Sequence, residues 1–187
     1  MNKCIDYIPI PSTNFYGNNF CYPIIINIIL NYWNKIFKPE DIAIIAKIFS
    51  GTVCSILIDG TEFLELNGFI FLIYKGSINE IKKRLKHKIP LILILPGKYD
   101  IIQHSVIVHG YDHINKSVLI YDPQYLKSNF INETKFKNIW KEDDMITILI
   151  IPKDQKLVDK TNLKFERSNR LCFEAEKLFI KKKTMML

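Results

Sequence analysis

The stretch HSVIVHGYDHINKSVLIYDP, residues 104–123, decides the fold of this chain. Residues 105–111 and 118–121 are rich in β-branched and apolar residues, and the polar residues around Asn115 separate them, which is typical of two antiparallel strands joined by a hairpin turn. His104 precedes the first strand and Asp122 follows the second. In a tight hairpin these two positions meet at one edge of the sheet, so we expect their side chains within hydrogen-bonding range.

Hydrophobic periodicity on either side of this hairpin predicts a sheet that is preceded by helices. Further strands are predicted at about residues 69–74, 91–95 and 145–151. Helices are predicted at about residues 22–36, 39–49 and 133–140, and at about 78–87 after the capping box Ser77-Ile78-Asn79-Glu80. Residues 1–20, which are rich in Pro, Asn and Gly, are expected to form a loop. The order of these elements predicts an α+β domain, with N-terminal helices packed on an antiparallel sheet.

The chain of 187 residues is predicted to form one domain over residues 1–152, followed by a polar linker and an amphipathic helix within residues 153–187. In that helix small and apolar residues recur at the spacing of one helix face, at Leu171, Ala175, Leu178 and Phe179. We expect this face to pack against the domain, and binding of a protein partner is the alternative interpretation.

The composition argues against several classes of protein. Hydrophobic residues make up 48% and charged residues 24% of the chain, which is ordinary for a globular domain. The net charge of +7 comes from lysines that are scattered apart from the runs at 82–86 and 181–183, so we interpret it as a solvated surface and predict no nucleic-acid partner. The longest apolar runs are far shorter than the roughly 20 residues of a membrane-spanning helix, so no membrane span is predicted.

The cysteines and histidines of the chain do not form the pattern of a metal site. Four cysteines show no C-x-x-C spacing, which argues against a zinc knuckle or a dithiol redox motif. The N-terminus shows no signal pattern, so we expect free thiols in a reducing compartment, the cytoplasm. His109 and His113 lack a third ligand in the sequence, and His109 is expected on the strand face opposite to His104. Neither a metal nor another cofactor is predicted.

Cys21 lies where the N-terminal loop is predicted to end and the first long helix to begin. Amide groups and the dipole at a helix N-terminus stabilise a thiolate, which lowers the pKa of the thiol and makes it a nucleophile near neutral pH. His104 can then protonate a leaving group, and Asp122 can orient the imidazole. Taken singly, each residue has a structural interpretation: a buried cysteine, a histidine at a strand end and an Asp-Pro turn. Their order and their places in the predicted fold favour a catalytic Cys–His–Asp triad.

With these residues the sequence resembles the papain-like cysteine peptidases of the bacteriocin-processing (double-glycine leader) family, over about residues 14–152. The most specific part is residues 104–112, which match the family strand H-x-V-x-V-x-G-Y-D, followed by Tyr121-Asp122-Pro123. Further similarity lies in Cys21 with the helix ending in Leu30-Asn31-Tyr32-Trp33, in Gly76-Ser77, in Ile89-Pro90-Leu91-Ile92, and in Phe136 with Trp140. The resemblance implies a papain-like fold with an extra C-terminal helix, a peptide or acyl substrate, and the same three catalytic residues.

The family usually has Gly directly after the cysteine and Gln about six residues before it, where the Gln side chain donates a hydrogen bond to the oxyanion. Here position 15 is Phe, and Tyr22 follows the cysteine. The oxyanion donors are therefore expected to be the backbone amide of the cysteine and one nearby side chain: Asn14, Asn18 or Asn19.

Three functions are consistent with this sequence. The first is a thiol hydrolase that cleaves a peptide or amide bond through an acyl-enzyme. The second is an acyltransferase that passes the same acyl group to an amine. The third is a degenerate, non-catalytic module that binds a peptide. The cysteine and histidine favour the two catalytic functions over the binding module, and the absent Gln favours the binding module. The sequence does not separate the hydrolase from the acyltransferase.

Overall fold

A computed structural model of the chain describes residues 4–13, 21–37, 61, 63–97, 103–155 and 163–184. Its strands are β1 (Ile5–Tyr7), β2 (Phe69–Lys75), β3 (Leu91–Pro96), β4 (Gln103–Asp112), β5 (Ser117–Asp122), β6 (Lys127–Asn132) and β7 (Ile146–Pro152). Its helices are α1 (Cys21–Tyr32), α2 (Ile78–Lys86), α3 (Glu133–Lys141) and α4 (Glu166–Thr184). This is the α+β architecture that the sequence predicts.

These strands form one antiparallel sheet with the order β2-β7-β3-β4-β5-β6. β4 pairs with β3 on one side and with β5 on the other. β1 pairs with the last residues of β4, from Gly110 to Asp112, beyond the end of β3. Because β4 is paired along its whole length, both of its ends are held in place.

α1 covers one face of the sheet, and α2 with α3 covers the other. The alternation of side chains along β3 shows the division: Ile92 and Ile94 pack with α1, whereas Leu91 and Leu93 pack with α2 and α3. The central strands β3, β4 and β7 are therefore buried on both faces, which explains why they are almost continuously apolar.

α1 is buried on nearly all sides because its sequence, CYPIIINIILNY, is apolar around the whole helix. Pro23 lies in the first turn, where the missing amide costs no intrahelical hydrogen bond. The Asn27 carboxamide oxygen accepts hydrogen bonds from Thr13 Oγ1 at 2.9 Å and from Asn31 Nδ2 at 3.2 Å. The side-chain oxygen of Asn27 is therefore hydrogen-bonded within this apolar helix.

α1 ends earlier than the predicted boundary at residue 36. Asn34 has a positive φ of 56°, and the Lys35 amide donates to the Leu30 carbonyl at 2.9 Å while the Asn34 amide donates to the Asn31 carbonyl at 3.0 Å. These bonds form a Schellman motif, which terminates the helix at Tyr32.

The capping box predicted for α2 is half formed. Ser77 Oγ accepts a hydrogen bond from the Glu80 amide at 3.1 Å, as predicted. The Glu80 carboxylate does not return to the cap, because it accepts from Arg84 Nε at 2.6 Å and from the Tyr74 hydroxyl at 3.4 Å. The arginine is almost fully buried, so this carboxylate neutralises a charge inside the domain.

The structure corrects the sequence prediction at two strands. Residues 1–20 were expected to form a loop, but β1 pairs with β4, and its three residues are too few to show a periodic pattern. β6 was not predicted, because it is an edge strand whose residues are mostly exposed on both faces and lack alternation. The helix predicted at residues 39–49 lies outside the described residues.

Gly76 explains why a glycine precedes α2. A Cβ atom at this position would lie 2.1 Å from Thr147 Oγ1 and 2.7 Å from the Trp140 ring. Only glycine therefore lets the connection between β2 and α2 pack against α3 and β7.

Candidate active site

His104 and Asp122 meet at the edge of the sheet where β4 begins and β5 ends. β5 pairs with β4 so that Tyr121 lies opposite Ile107, which sets Asp122 on the same face as His104 and one diagonal step away. His104 Nε2 lies 2.8 Å from Asp122 Oδ1. The juxtaposition expected from the hairpin is thus present.

Asp122 also organises the turn that follows β5. Its Oδ1 atom accepts a hydrogen bond from the Gln124 amide at 2.9 Å, across Pro123. Asp122 can therefore stabilise the turn and orient His104 at the same time, since its Oδ1 atom contacts both the Gln124 amide and His104 Nε2.

Cys21 is the first residue of α1 and is half-buried where this helix packs against β4. Its side chain is hydrogen-bonded to the His104 ring, and the backbone amides of Ser105 and Tyr22 donate to its sulfur. Because Asp122 occupies Nε2 of the ring, Nδ1 is the nitrogen left for the sulfur. The imidazole therefore lies between a thiol and a carboxylate.

The electrostatics of the three groups favour an ion pair. Burial raises the pKa of the Cys21 thiol, but the hydrogen bond and charge of His104 and the two backbone amides outweigh it, so this pKa is lowered overall. Burial likewise lowers the pKa of His104, but the hydrogen bonds and charges of Asp122 and Cys21 raise it to about 9. Near neutral pH the His104 ring is therefore protonated, and its charge favours the thiolate form of Cys21, so the arrangement favours a nucleophile beside a proton donor.

The predicted oxyanion donors Asn14 and Asn18 lie outside the described residues, as does Asn19. The Ser105 amide was not identified from the sequence, because a backbone donor leaves no residue-type signal. Tyr22, which stands where the family has Gly, is buried in the α1 core, and its hydroxyl has no hydrogen-bond partner among the residues that the structure describes. That burial raises the pKa of the Tyr22 hydroxyl, so it stays protonated.

The two histidines considered as metal ligands have other partners. His109 is buried, with Nδ1–H donating to the Ile8 carbonyl at 3.0 Å and Nε2 accepting from Ser128 Oγ at 2.9 Å. Burial lowers its pKa, which keeps the ring neutral for these two bonds. His113 Nε2 lies 2.8 Å from Asp6 Oδ2. Within the described part of the chain no three His, Cys, Asp or Glu side chains are grouped as a metal site would need.

Two further observations concern membrane-spanning helices and disulfides. Among the residues that the structure describes, no helix combines the length and the apolar character needed to cross a lipid bilayer. Cys4, Cys21 and Cys172 form no disulfide. Cys54 lies outside the described residues.

Comparison with solved structures supports the fold assignment. The chain superposes on the peptidase domain of Streptococcus ComA, a bi-functional ABC transporter involved in a quorum-sensing pathway, with a TM-score of 0.58 and 16% identity over 76% of this chain and 97% of that one. It also superposes on a double-glycine-motif protease from an AMS/PCAT transporter, solved in complex with the leader peptide, with a TM-score of 0.55 and 16% identity over 78% of this chain and 94% of that one. At this identity the likeness establishes the fold alone.

Comparison of the sequence with known proteins establishes the family. No curated protein matches the chain. The model of the Peptidase_C39 like family matches residues 5–146, which include β1, α1 and the whole β4–β5 hairpin with Cys21, His104 and Asp122. Since the match covers most of the chain, this protein belongs to the Peptidase_C39 like family.

Proposed function

We propose that this protein is a cysteine peptidase that hydrolyses a peptide bond, with Cys21 as nucleophile, His104 as acid and base, and Asp122 as the residue that orients His104. Membership of the Peptidase_C39 like family supports the class of reaction. The observation that carries the assignment of residues is the 2.8 Å contact of His104 Nε2 with Asp122, made while the same ring is hydrogen-bonded to Cys21.

The first half of the reaction forms an acyl-enzyme. The Cys21 sulfur attacks the carbonyl carbon of the scissile bond, and the carbonyl electron pair moves onto its oxygen. When the tetrahedral intermediate collapses, the carbon–nitrogen bond breaks and Nδ1–H of the His104 imidazolium gives its proton to the leaving amine. The products of this half are a thioester on Cys21, a free amine and a neutral imidazole.

The second half restores the enzyme. The neutral His104 takes a proton from a water molecule, whose oxygen attacks the thioester carbon. The carbon–sulfur bond then breaks, the acid product leaves, and Cys21 returns as a thiolate beside the imidazolium. Asp122 keeps the ring oriented through both halves, because its hydrogen bond is made with the nitrogen that does not face the sulfur.

The oxyanion of both intermediates needs preorganised donors. The backbone amide of Cys21 is proposed as one donor, because the first amides of a helix have no intrahelical partner. Asn14 or Asn18 is proposed to provide the second donor in place of the family Gln.

A peptide is the proposed substrate class. The AMS/PCAT protease that shares this fold was solved with a leader peptide, so a peptide ligand is compatible with this architecture.

Thiol alkylation tests the assignment without a known substrate. Iodoacetamide at about pH 6, read by peptide mass, is expected to modify Cys21 about tenfold faster or more than Cys4 or Cys172, because ordinary thiols are almost fully protonated at that pH. Accessibility works in the opposite direction, since Cys4 and Cys172 are exposed and Cys21 is half-buried. A faster reaction of Cys21 would therefore report its ionisation rather than its exposure.

Two variants complete the alkylation experiment. His104→Ala is expected to remove most of the advantage of Cys21, because it removes the positive charge and the hydrogen bond that stabilise the thiolate. His113→Ala serves as the matched control, since it removes a histidine that also contacts a carboxylate but lies away from Cys21. Equal rates for Cys21 and Cys4 in the wild-type protein would show that the nucleophile is wrongly assigned.

A further inference from the structure

The two end strands of the sheet differ in what lies beside their outer edges. At the β2 edge, the Lys75 amide donates to the Lys164 carbonyl at 2.8 Å. Asn169 of α4 also donates to the Ile73 carbonyl of β2 at 3.3 Å. β6 ends the strand order on the other side and, among the described strands, pairs with β5 alone. Its side chains are exposed at every position except the half-buried Ile131. The outer edge of β6 is therefore available to another chain, whereas most proteins cover or blunt such an edge.

The register with β5 shows which backbone groups of β6 point outward. The Glu133 amide donates to the Lys116 carbonyl at 2.8 Å, one residue beyond the last pair of the two strands. Backbone groups of successive strand residues point to alternate sides, so those of Ser128 and Phe130 point away from β5. Neither residue forms a backbone–backbone hydrogen bond with any other described part of the chain. We call the amides and carbonyls of Ser128 and Phe130 the open edge of β6.

The open edge begins beside the candidate active site. Lys127, the first residue of β6, is the strand partner of Asp122. Strands lie about 4.8 Å apart, so a peptide paired with β6 would be the third strand from β4, about 14 Å away from it. An extended chain spans about 3.3 Å per residue, so about four residues would connect that peptide strand to a scissile bond held between Cys21 and His104. A substrate that is cleaved at Cys21 can therefore also occupy the open edge.

Exposed apolar side chains accompany the open edge. Tyr125 and Leu126 are exposed in the turn between Asp122 and β6, and Phe130 is 49% exposed. In a strand added to β6, the residue opposite Phe130 would point to the same face of the sheet and contact the ring. The open edge therefore matches an extended peptide with an apolar side chain opposite Phe130.

The size of the open edge argues against a second copy of the chain as its occupant. β6 has six residues, so two copies paired edge to edge would share one short ladder. Stable interfaces between proteins use about 20–30 residues on each side. A substrate peptide needs a smaller area, because tight uniform binding of a substrate does not raise kcat.

We propose that the open edge of β6 binds the substrate peptide as an additional strand, through the backbone of Ser128 and Phe130, and that the Phe130 ring contacts an apolar side chain of the peptide. This inference rests on the proposed peptidase function and adds where the substrate is held away from the scissile bond. Main-chain hydrogen bonds to a strand edge contribute affinity for any sequence, whereas the contact with a side chain contributes selectivity.

Two variants of Ser128 isolate the backbone contribution. The substrate is the peptide that the wild-type enzyme cleaves fastest from a defined pool of synthetic peptides, detected by mass spectrometry. Ser128→Pro removes an amide that points outward, where an edge strand tolerates proline. Ser128→Ala is the matched control, because both variants lose the Oγ atom that contacts His109 Nε2, whereas only proline lacks the amide. We expect the KM of Ser128→Pro to be about five- to tenfold higher than that of Ser128→Ala, with a similar kcat.

A side-chain variant tests the selectivity. Phe130→Gln is expected to raise KM about three- to fivefold for a peptide with an apolar residue opposite the ring. Phe165→Gln is the matched control, since Phe165 is 51% exposed but follows Lys164 beside β2. This control should leave KM within roughly twofold of wild type. Equal KM values for the two phenylalanine variants would overturn the role of the Phe130 ring.

The length of the substrate gives a third readout. The peptide is shortened in steps from either end, and KM is measured with both Ser128 variants. The difference between Ser128→Pro and Ser128→Ala should vanish once fewer than about four residues remain on the side of the scissile bond that reaches β6. Shortening from the other end should leave the difference in place, because only one half of the peptide enters the open edge.

Alkylation of Cys21 separates failure of this proposal from failure of the proposed function. Fast alkylation of Cys21 and cleavage of the peptide, with equal KM in the two Ser128 variants, would overturn the binding at the open edge and leave the peptidase assignment standing. A wild-type chain that cleaves no peptide of the pool would overturn both. A wild-type dimer that Ser128→Pro converts to a monomer would assign the open edge to a second copy.

Discussion

Two histidine–carboxylate pairs lie at opposite ends of β4, and their distances are the same. His104 Nε2 is 2.8 Å from Asp122 at the start of the strand, and His113 Nε2 is 2.8 Å from Asp6 just past its end. The side chains of the first pair are 14% and 16% exposed, whereas the His113 side chain is 36% exposed. The distance between imidazole and carboxylate therefore does not distinguish the His104 pair from the His113 pair.

The third neighbour of each imidazole makes the difference. The His104 ring also meets the Cys21 thiol, whereas the His113 ring packs edge-on against Tyr111 with 4.9 Å between centroids. The His113 amide donates to the Cys4 carbonyl at 2.9 Å, so this end of β4 fastens the N-terminal strand to the sheet. The His113–Asp6 pair thus stabilises the packing of the N-terminal strand, whereas the His104–Asp122 pair is part of the candidate active site.

The largest difference between the two ends should be in turnover. His104→Ala is expected to lower kcat/KM by about 10²–10⁴-fold, because it removes the acid and base, while His113→Ala should stay within roughly threefold of wild type. The substrate is the peptide that the wild-type enzyme cleaves from a defined peptide pool, detected by mass spectrometry. Comparable losses in both variants, with unchanged melting temperatures, would erase the functional distinction between the two pairs.

Replacing Asp122 should lower kcat/KM more than replacing Asp6, but by a smaller factor than replacing His104. Asp122→Ala is expected to reduce kcat/KM by about 100-fold, since the His104 ring loses its orientation, whereas Asp6→Ala should change it little. Asp122→Asn should retain more activity than Asp122→Ala, because the amide oxygen can still accept from His104 and from the Gln124 amide. If Asp122→Asn and Asp122→Ala lose activity only in proportion to their loss of melting temperature, Asp122 is a turn residue alone.

The smallest expected effect is on the pH profile. The raised pKa of His104 keeps the imidazolium up to about pH 9, so kcat/KM should fall as pH rises through that value. Asp122→Asn removes a charge that raises this pKa, so the alkaline limb should move to lower pH. His113→Ala should leave the limb where it is. An alkaline limb that is identical in wild type and Asp122→Asn would show that it belongs to another group.

Much of the fold could be predicted from the sequence because the patterns involved are local. The β4–β5 hairpin follows from alternating apolar residues around a turn, and Ser77 caps α2 as its sequence predicts. The predictions failed where local pattern is weak: β1 is held by β4, and β6 is an exposed edge strand. The contact of His104 with Asp122 could also be predicted, because one hairpin brings these two residues together. Their catalytic roles remain proposals.

The sequence by itself determined the strands β2, β3, β4, β5 and β7 and the family resemblance. It also determined the meeting of His104 with Asp122, because side chains 18 residues apart on one hairpin are placed by pairing register. Only the tertiary structure decided how the His104 ring meets Cys21, since that contact depends on α1 packing across β4. It also decided that Leu171, Leu178 and Phe179 of α4 stay exposed, contrary to the expected packing, while Asn169 and Arg170 contact Ile73 and Glu65, partners about 100 residues away. Periodicity shows that a helix has an apolar side, and the packing of the whole domain determines whether that side is covered.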